Sequence, residues 1–376
     1  MQPSLRVSSP SILWLRLALP GIAVAAVLAL LAKAVANELA DGIAGLPKLP
    51  ISPVMCAVVL GMLWRNTLGV PRFATEGLEW VMRGLLRTGI ALVGLRLTLS
   101  GATAIAVTAL PIALTCICVA LLGAAAICRL FGVPPRLAVL LAVGTAVCGC
   151  TAVIAVAPAI RARNDETAFA ITCVVLFGCI AMLTYPSLAA LFFFSSPIYA
   201  GVFLGTAIHD TTQVIGAGLI YSQQHSQPAA LAAASVAKLL RNLSIVLLVP
   251  AAAWLARGQA FNHSEEAEAK PLESRTRVQL VPLFVIGFIF CVVLRTLGDA
   301  LTRNSGAAAD WHALMTRGQD ASELFLICGM TAVGLSVSFT QMWRIGWRPL
   351  ASGLLVALLV GICSLSLTLF MQHLMH

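Results

Sequence analysis

The chain has 376 residues, 60% of them hydrophobic and only 10% charged, where an ordinary soluble domain carries about 25% charged residues. Apolar runs near 20 residues recur from end to end, each long enough to cross ~30 Å of hydrocarbon, and the short alternating segments of a membrane barrel do not occur. The formal net charge of +9 sits mainly between the apolar runs, where Lys and Arg set membrane orientation; this is not a nucleic-acid-binding pattern.

The first run follows Arg6 and Arg16. Ala34-Val35-Ala36 mimics a signal-peptidase site, but Leu17 to Val35 exceeds a signal core of ~7–15 residues, so an uncleaved first helix is expected. Spans are predicted at about 15–36, 49–66, 78–100, 103–128, 166–193, 229–256, 279–298, 320–340 and 349–372. Pro111 lies inside the fourth and should kink it. Asn164-Asp-Glu-Thr167 reads as a helix start. Two further apolar segments, 135–160 and 197–222, are interrupted by Gly and Thr. The fold class is therefore all-α and polytopic: about 9 full spans plus two broken or re-entrant segments, in an inverted-repeat, transporter-like architecture. Residues 1–376 read as a single transmembrane domain with approximate halves 1–195 and 196–376, and 257–278 as a cytoplasmic linker.

Orientation follows the basic residues. Arg6 and Arg16, then Arg65, Arg72, Arg83 and Arg87, then Arg129 and Arg136 mark cytoplasmic connections and place the N-terminus inside. A re-entrant hairpin over 135–160 keeps Arg161 and Arg163 on that side, whereas a single crossing puts them outside, so the charges favour a hairpin. The flanks of 197–222 carry no Lys or Arg, which suits a second hairpin entering from outside. Single-crossing broken helices remain the alternative. Trp14, Trp64, Trp80, Trp254, Trp343 and Trp347 fall at predicted cytoplasmic ends and Tyr199 and Tyr221 at outer ends, as interfacial aromatics do. Trp311, Arg303 and Arg317 fall in a predicted outer loop, the two arginines as a mild exception to the charge pattern, and Arg295 and Glu323 near span ends. The 11 cysteines lie almost all inside apolar runs with no zinc spacing, as small buried thiols do.

The two interrupted segments resemble each other. Gly144-Thr-Ala-Val-Cys-Gly-Cys-Thr-Ala-Val153 and Gly205-Thr-Ala-Ile-His-Asp-Thr-Thr-Gln-Val214 align without gaps on Gly-Thr-Ala, on Thr151 with Thr212, and on the final Val. A second echo pairs Gly89-Ile-Ala-Leu-Val-Gly-Leu95 with Gly329-Met-Thr-Ala-Val-Gly-Leu335 at a different offset, so one tandem duplication does not produce both. In hydrocarbon, irregular backbone survives only where it lines protein or a wet cavity, and paired interrupted segments point to a transporter's central site. Gly144, Gly149 and Gly205 permit such breaks, with Thr145, Thr151, Thr206, Thr211 and Thr212 beside them. The competing reading is close helix packing by small residues, which Gly201-x-x-x-Gly205 fits well.

Ionisable residues deep in apolar segments are costly and often functional. His209 and Asp210 form such a pair, suited to a proton or Na⁺; Asp210-Thr-Thr-Gln213 also has capping-box spacing. Lys238 and Arg241 share one helix face with Ser235 and Asn242. Two cations there need an anion, water or an internal partner such as Asp210. An anion-binding role is preferred, and a carboxylate at a half-helix N-terminus repels an anion. The anion is thus expected near Gly144, Thr145, Gly149, Thr151, Lys238 and Arg241. His209, Asp210 and Thr211 are the candidates for ion coupling.

Six stretches carry a family resemblance: Arg87-Thr-Gly-Ile-Ala-Leu-Val-Gly-Leu-Arg-Leu97, Gly144–Ala152 running to Ala157-Pro-Ala-Ile160, Glu166-Thr-Ala168, Leu176-Phe-Gly178, Ala207-Ile-His-Asp-Thr-Thr-Gln-Val214 and Lys238-Leu-Leu-Arg241. They resemble the YeiH-type family, described as candidate sulfate exporters, over about 50–340. That family usually has Ser where this chain has Cys148 or Cys150. The resemblance implies a multi-pass protein of the bacterial plasma (inner) membrane, related to inverted-repeat antiporters and symporters. The expected function is secondary transport of a small inorganic or organic anion, sulfate-like or organosulfur, coupled to H⁺ or Na⁺. Its partners are that anion, the coupling ion and the lipid bilayer, with no nucleic acid and no cofactor; a homo-oligomer is compatible. The rival is a Na⁺/H⁺-type antiporter centred on Asp210. No P-loop occurs, and the chain lacks H-E-x-x-H and G-x-S-x-G, so an enzyme is not expected.

Overall fold

A computed structural model of the chain describes residues 10–41, 51–244, 246, 248, 283–303, 307–338 and 347–375. Among them the regular structure is helical, with no strand. In order the helices are α1 (Pro10–Asp41), α2 (Pro53–Thr67), α3 (Thr75–Trp80), α4 (Leu86–Val93), α5 (Leu99–Leu130), α6 (Pro135–Ala146), α7 (Cys150–Val156), α8 (Asn164–Phe193), α9 (Pro197–Ala207), α10 (Thr211–His225), α11 (Ala229–Leu243), α12 (Leu283–Thr302), α13 (Ala308–Ser336) and α14 (Trp347–Met375). A π-helical turn, Val81–Leu85, joins α3 to α4, and one 3₁₀ turn, Gly94–Arg96, follows α4.

The chain is a polytopic α-helical membrane protein. Among the described residues five helices are long and apolar enough to cross a bilayer: α1, α5, α8, α12 and α14. The other expected spans are shorter, interrupted or partly polar helices. The expected linker 257–278 and the second half of the span 229–256 lie outside the described residues, as do Trp254 and Trp343. The fourth span is one helix of 32 residues that runs through Pro111. The span expected at 320–340 begins at Ala308 instead, so Trp311 and Arg317 are helical and not in a loop. The Trp311 indole donates to Asp299 Oδ1 (2.8 Å), which also pairs with Arg295 through Oδ2 (2.8 Å).

Helix starts follow local capping chemistry. Ser52 Oγ accepts from Val54 N (3.1 Å) at α2, and Thr98 Oγ1 accepts from Gly101 N (3.3 Å) at α5. At α8, Glu166 reaches back to Arg163 N (2.8 Å). Each bond satisfies a backbone donor that helix geometry leaves unpaired.

One compact unit comprises residues 1–90 and 317–338. Its core includes Ala25, Leu28, Leu78, Val81, Ala332 and Leu335. The sequence echo is a packing device here. Leu86 sits against Gly329, and Leu326 sits against Gly89. Each Leu lies three residues before the Gly of its own segment, so the two helices interlock reciprocally.

A second compact unit comprises residues 91–316 and 339–376, and both interrupted segments fall within it. In a continuous helix Gly144 and Val153 would stand ~13 Å apart along the axis. Instead a Cβ on Gly144 would lie 2.8 Å from Val153 Cγ2 and 3.0 Å from Val174 Cγ2. The chain therefore doubles back between α6 and α7 and rejoins α8 at its N-terminal end. On α9, Gly201 faces Ala233 and Gly205 faces Ala237, so α9 and α11 run in the same sense. On α10, Thr211 meets Asn242 while Gly218 meets Leu231, so α10 runs opposite to α11. Thus α9 and α10 are also a hairpin. Its open end is closed by Tyr221 Oη donating to Phe193 O (3.4 Å) and Gln227 Nε2 donating to Phe194 O (3.0 Å). One hairpin precedes α8 and the other follows it, so they enter from opposite ends of that helix.

Candidate functional site

The hairpin tips meet. At the first tip Val147 leaves the helical region (φ −114°, ψ −93°) and Gly149 turns the chain with φ +68°. At the second, Ile208 and Asp210 are extended (ψ 143° and 144°) before α10 begins. A Cβ on Gly149 would lie 2.7 Å from Asp210 Oδ2 and 3.2 Å from its Cα. Only glycine fits that contact, and its φ is one that other residues rarely adopt. Gly144 and Gly205 are helical and serve close packing instead; of the three expected break points, Gly149 alone breaks the backbone by its φ.

A helix leaves its last carbonyls unpaired, and two helices, α6 and α9, end at the crossing. Their carbonyls have identifiable partners. Val147 N donates to Val143 O (3.1 Å), Gly149 N to Gly144 O (3.0 Å) and Ile208 N to Leu204 O (3.3 Å). Others are taken by α11. Arg241 donates through Nε to Ala146 O (2.7 Å), through Nη1 to Thr206 O (2.6 Å) and Ile208 O (3.3 Å), and through Nη2 to Thr145 O. Lys238 Nζ donates to Val147 O (2.9 Å), to Ile208 O (3.1 Å) and to His209 O. Both side chains are fully buried, at 0% exposure. Two cations thus sit at two negative helix ends, where the dipole favours them, and clip the tips together.

This places each expected site residue. Lys238 and Arg241 are brought together with Thr145, but they engage its carbonyl and those of its neighbours. Neither is within ion-pair distance of Asp210 among the described residues. Asp210 caps α10: Oδ1 accepts from Thr212 N (2.9 Å) and Thr212 Oγ1 (2.7 Å). The reciprocal half of the capping box does not form, because Gln213 Nε2 turns to Val175 O on α8 (3.1 Å). Thr211 Oγ1 accepts from Asn242 Nδ2 (3.0 Å). His209 is 2% exposed and lies against the Thr145 backbone. Thr206 Oγ1 is bonded to Ser364 Oγ of α14 (2.7 Å). Thr151 is exposed on the first turn of α7, and Cys150, Asp210, Thr211 and Thr212 are half-buried. The accessible polar face of the crossing is therefore formed by the starts of α7 and α10, and the cations lie behind it.

Gln213 is a site residue that the sequence signalled only as a cap. Its Oε1 lacks a hydrogen-bond partner, as do His209 Nδ1 and Asn242 Oδ1. Val147 and Ile208 were invisible in the sequence because they act through backbone oxygen.

The chain matches the family described as "Conserved hypothetical protein 698" over residues 20–353. It is 34% identical over 329 residues to a UPF0324 membrane protein of Ralstonia nicotianae, covering 83% of this chain and 84% of the relative. A UPF0324 membrane protein of Bacillus anthracis is 30% identical over 336 residues, 89% of each chain. One of Streptococcus pyogenes serotype M18 is 29% identical over 313 residues, covering 83% of this chain and 88% of the relative. No solved structure matches. The hairpin motifs and the α11 cations lie inside the matched region, and the chain belongs to this family of UPF0324 membrane proteins, Conserved hypothetical protein 698.

Proposed function

We propose that the protein is a secondary transporter of a small anion, sulfate-like or organosulfur, coupled to H⁺ or Na⁺ in a bacterial plasma membrane with its N-terminus cytoplasmic. The observation that carries this reading is the contact between two re-entrant tips entering from opposite ends of α8. Broken backbone at membrane depth needs protein or water around it, and opposed half-helices are the usual frame of a gradient-driven site. Charge favours an anion: two buried cations face one carboxylate. All three Lys238 donor directions and the Arg241 fork are taken by carbonyls, so the anion meets their field and not their N–H groups. Contact falls to the exposed Thr151, backed by Gly144, Thr145, Gly149, Lys238 and Arg241. His209, Asp210 and Thr211 sit on the second tip, where a coupling ion would be sensed.

Proteoliposome counterflow across sulfate, sulfonates and carboxylates tests this, with Thr151→Val and His209→Ala as probes. Saturable counterflow of one anion class, weakened in both variants, is expected. Unchanged flux in both removes the site assignment. The second reading, a cation/proton antiporter, draws on the half-buried Asp210 carboxylate at the tip. It requires Na⁺-linked proton flux that Asp210→Asn abolishes, with sulfate irrelevant.

A further inference from the structure

Lys238 occupies an unusual place. Its ammonium has three donors, and three carbonyls of two different hairpin tips receive them: Val147 (2.9 Å), Ile208 (3.1 Å) and His209. The side chain is fully buried, with no carboxylate within ion-pair distance among the described residues. Carbonyl oxygens at unwound backbone and half-helix C-termini are what coordinate a coupling cation in broken-helix transporters. Here that oxygen set surrounds a cation already attached to the chain.

We infer that the carbonyls of Val147, Ile208 and His209 form a site for a monovalent cation of the ammonium or alkali class, which the protein keeps filled with its own Lys238 ammonium. The tethered charge holds the tips together without a free ion. In the transporter reading, on which this last clause rests, Na⁺ then has no role at these three carbonyls, and a coupling ion acts elsewhere on the tips. Shortening Lys238 should expose the site to solution cations. The geometry also sets size selectivity. An ammonium or methylammonium fits a space left by a primary amine and its stem, whereas choline, whose nitrogen is quaternary, is larger and presents no N–H to the carbonyls.

Thermal melting of the purified full chain in detergent tests the site without any transport assay. Wild type and Lys238→Ala are melted in choline chloride, then in Na⁺, K⁺, ammonium or methylammonium chloride at equal ionic strength. Wild type should melt at one temperature in all five salts. Lys238→Ala should melt lower in choline and recover in a saturable way with at least one of the small cations. Lys238→Ala that melts identically in every salt overturns the inference, and a wild type stabilised by Na⁺ over choline overturns the claim that the lysine makes Na⁺ dispensable. Lys238→Met keeps the test decisive if the alanine variant does not fold. It fills the volume without charge, so it should melt below wild type and ignore the salt; melting equal to wild type shows that the carbonyls need no cation. A failed melting result leaves anion transport standing, and absent anion flux leaves the cation site standing.

Discussion

Arg241 illustrates why residue type and not charge alone decides this site. Its planar fork reaches Thr145 and Ala146 on one tip and Thr206 and Ile208 on the other. A lysine keeps the charge but concentrates its donors on one atom. Arg241→Lys offers three donors from one atom to four carbonyls on two tips, so at least one loses its present donor. A buried carbonyl left unpaired costs about 1–3 kcal/mol, and the melting temperature should fall in detergent. Asp210 separates two roles in a similar way. Asn is as good an N-cap as Asp, so Asp210→Asn should hold its melting temperature while altering ion-coupled flux. Asp210→Ala loses the cap as well, about 1 kcal/mol. If Asp210→Asn destabilises as much as Asp210→Ala, the carboxylate has a structural duty beyond capping. Gly149→Ala combines a left-handed φ with a clash against Asp210. A cost of about 1–3 kcal/mol is expected, together with loss of flux, since the two tips can no longer touch.

At the scale of elements, the α9–α11 contact tests how the second hairpin is held. Gly201 and Gly205 bring α9 against Ala230, Ala233, Ala234 and Ala237, a small-residue seam of the kind that drives helix association where lipid supplies no hydrophobic force. Gly205→Val should push α9 off α11 and pull Thr206 and Ile208 away from Arg241, lowering both melting temperature and flux. Gly101→Ala on α5 meets nothing nearer than Thr98 Oγ1 at 3.4 Å and should be silent in both measurements. The seam was readable because Gly-x-x-x-Gly states its own mechanism. So were the hairpin breaks, from Gly and Thr in apolar sequence, and the cap at Asp210. The partners of Lys238 were not readable, because every backbone carbonyl looks alike in sequence; only the folded tips decide which face inward. The start of α13 was missed for a different reason. Asp310, His312, Arg317 and Asp320 interrupt the apolar pattern, yet the chain there is helical, with Trp311 tied to Asp299 on α12.

On the scale of the whole molecule, the arrangement rests on one topological fact: the hairpins enter from opposite ends of α8. The sequence predicts that much from charge. Arg129, Arg136, Arg161 and Arg163 gather at the first hairpin, and no Lys or Arg flanks the second. The helices agree, since α6 and α7 open toward the start of α8 and α9 and α10 toward its end. The bilayer turns this into an experiment, because α8 is 30 residues long, about 45 Å at 1.5 Å per residue. That is enough to put its ends on different sides of ~30 Å of hydrocarbon. Single cysteines at Ala159, after α7, and Ala229, at the start of α11, are both exposed. In a background with the 11 native cysteines replaced, a membrane-impermeant maleimide added to intact cells should label Ala229→Cys and spare Ala159→Cys. Inside-out vesicles should reverse the pattern. Labelling of both from one side would mean that α8 does not cross. The two tips would then not meet from opposite faces, and alternating access across their contact would lose its geometric basis.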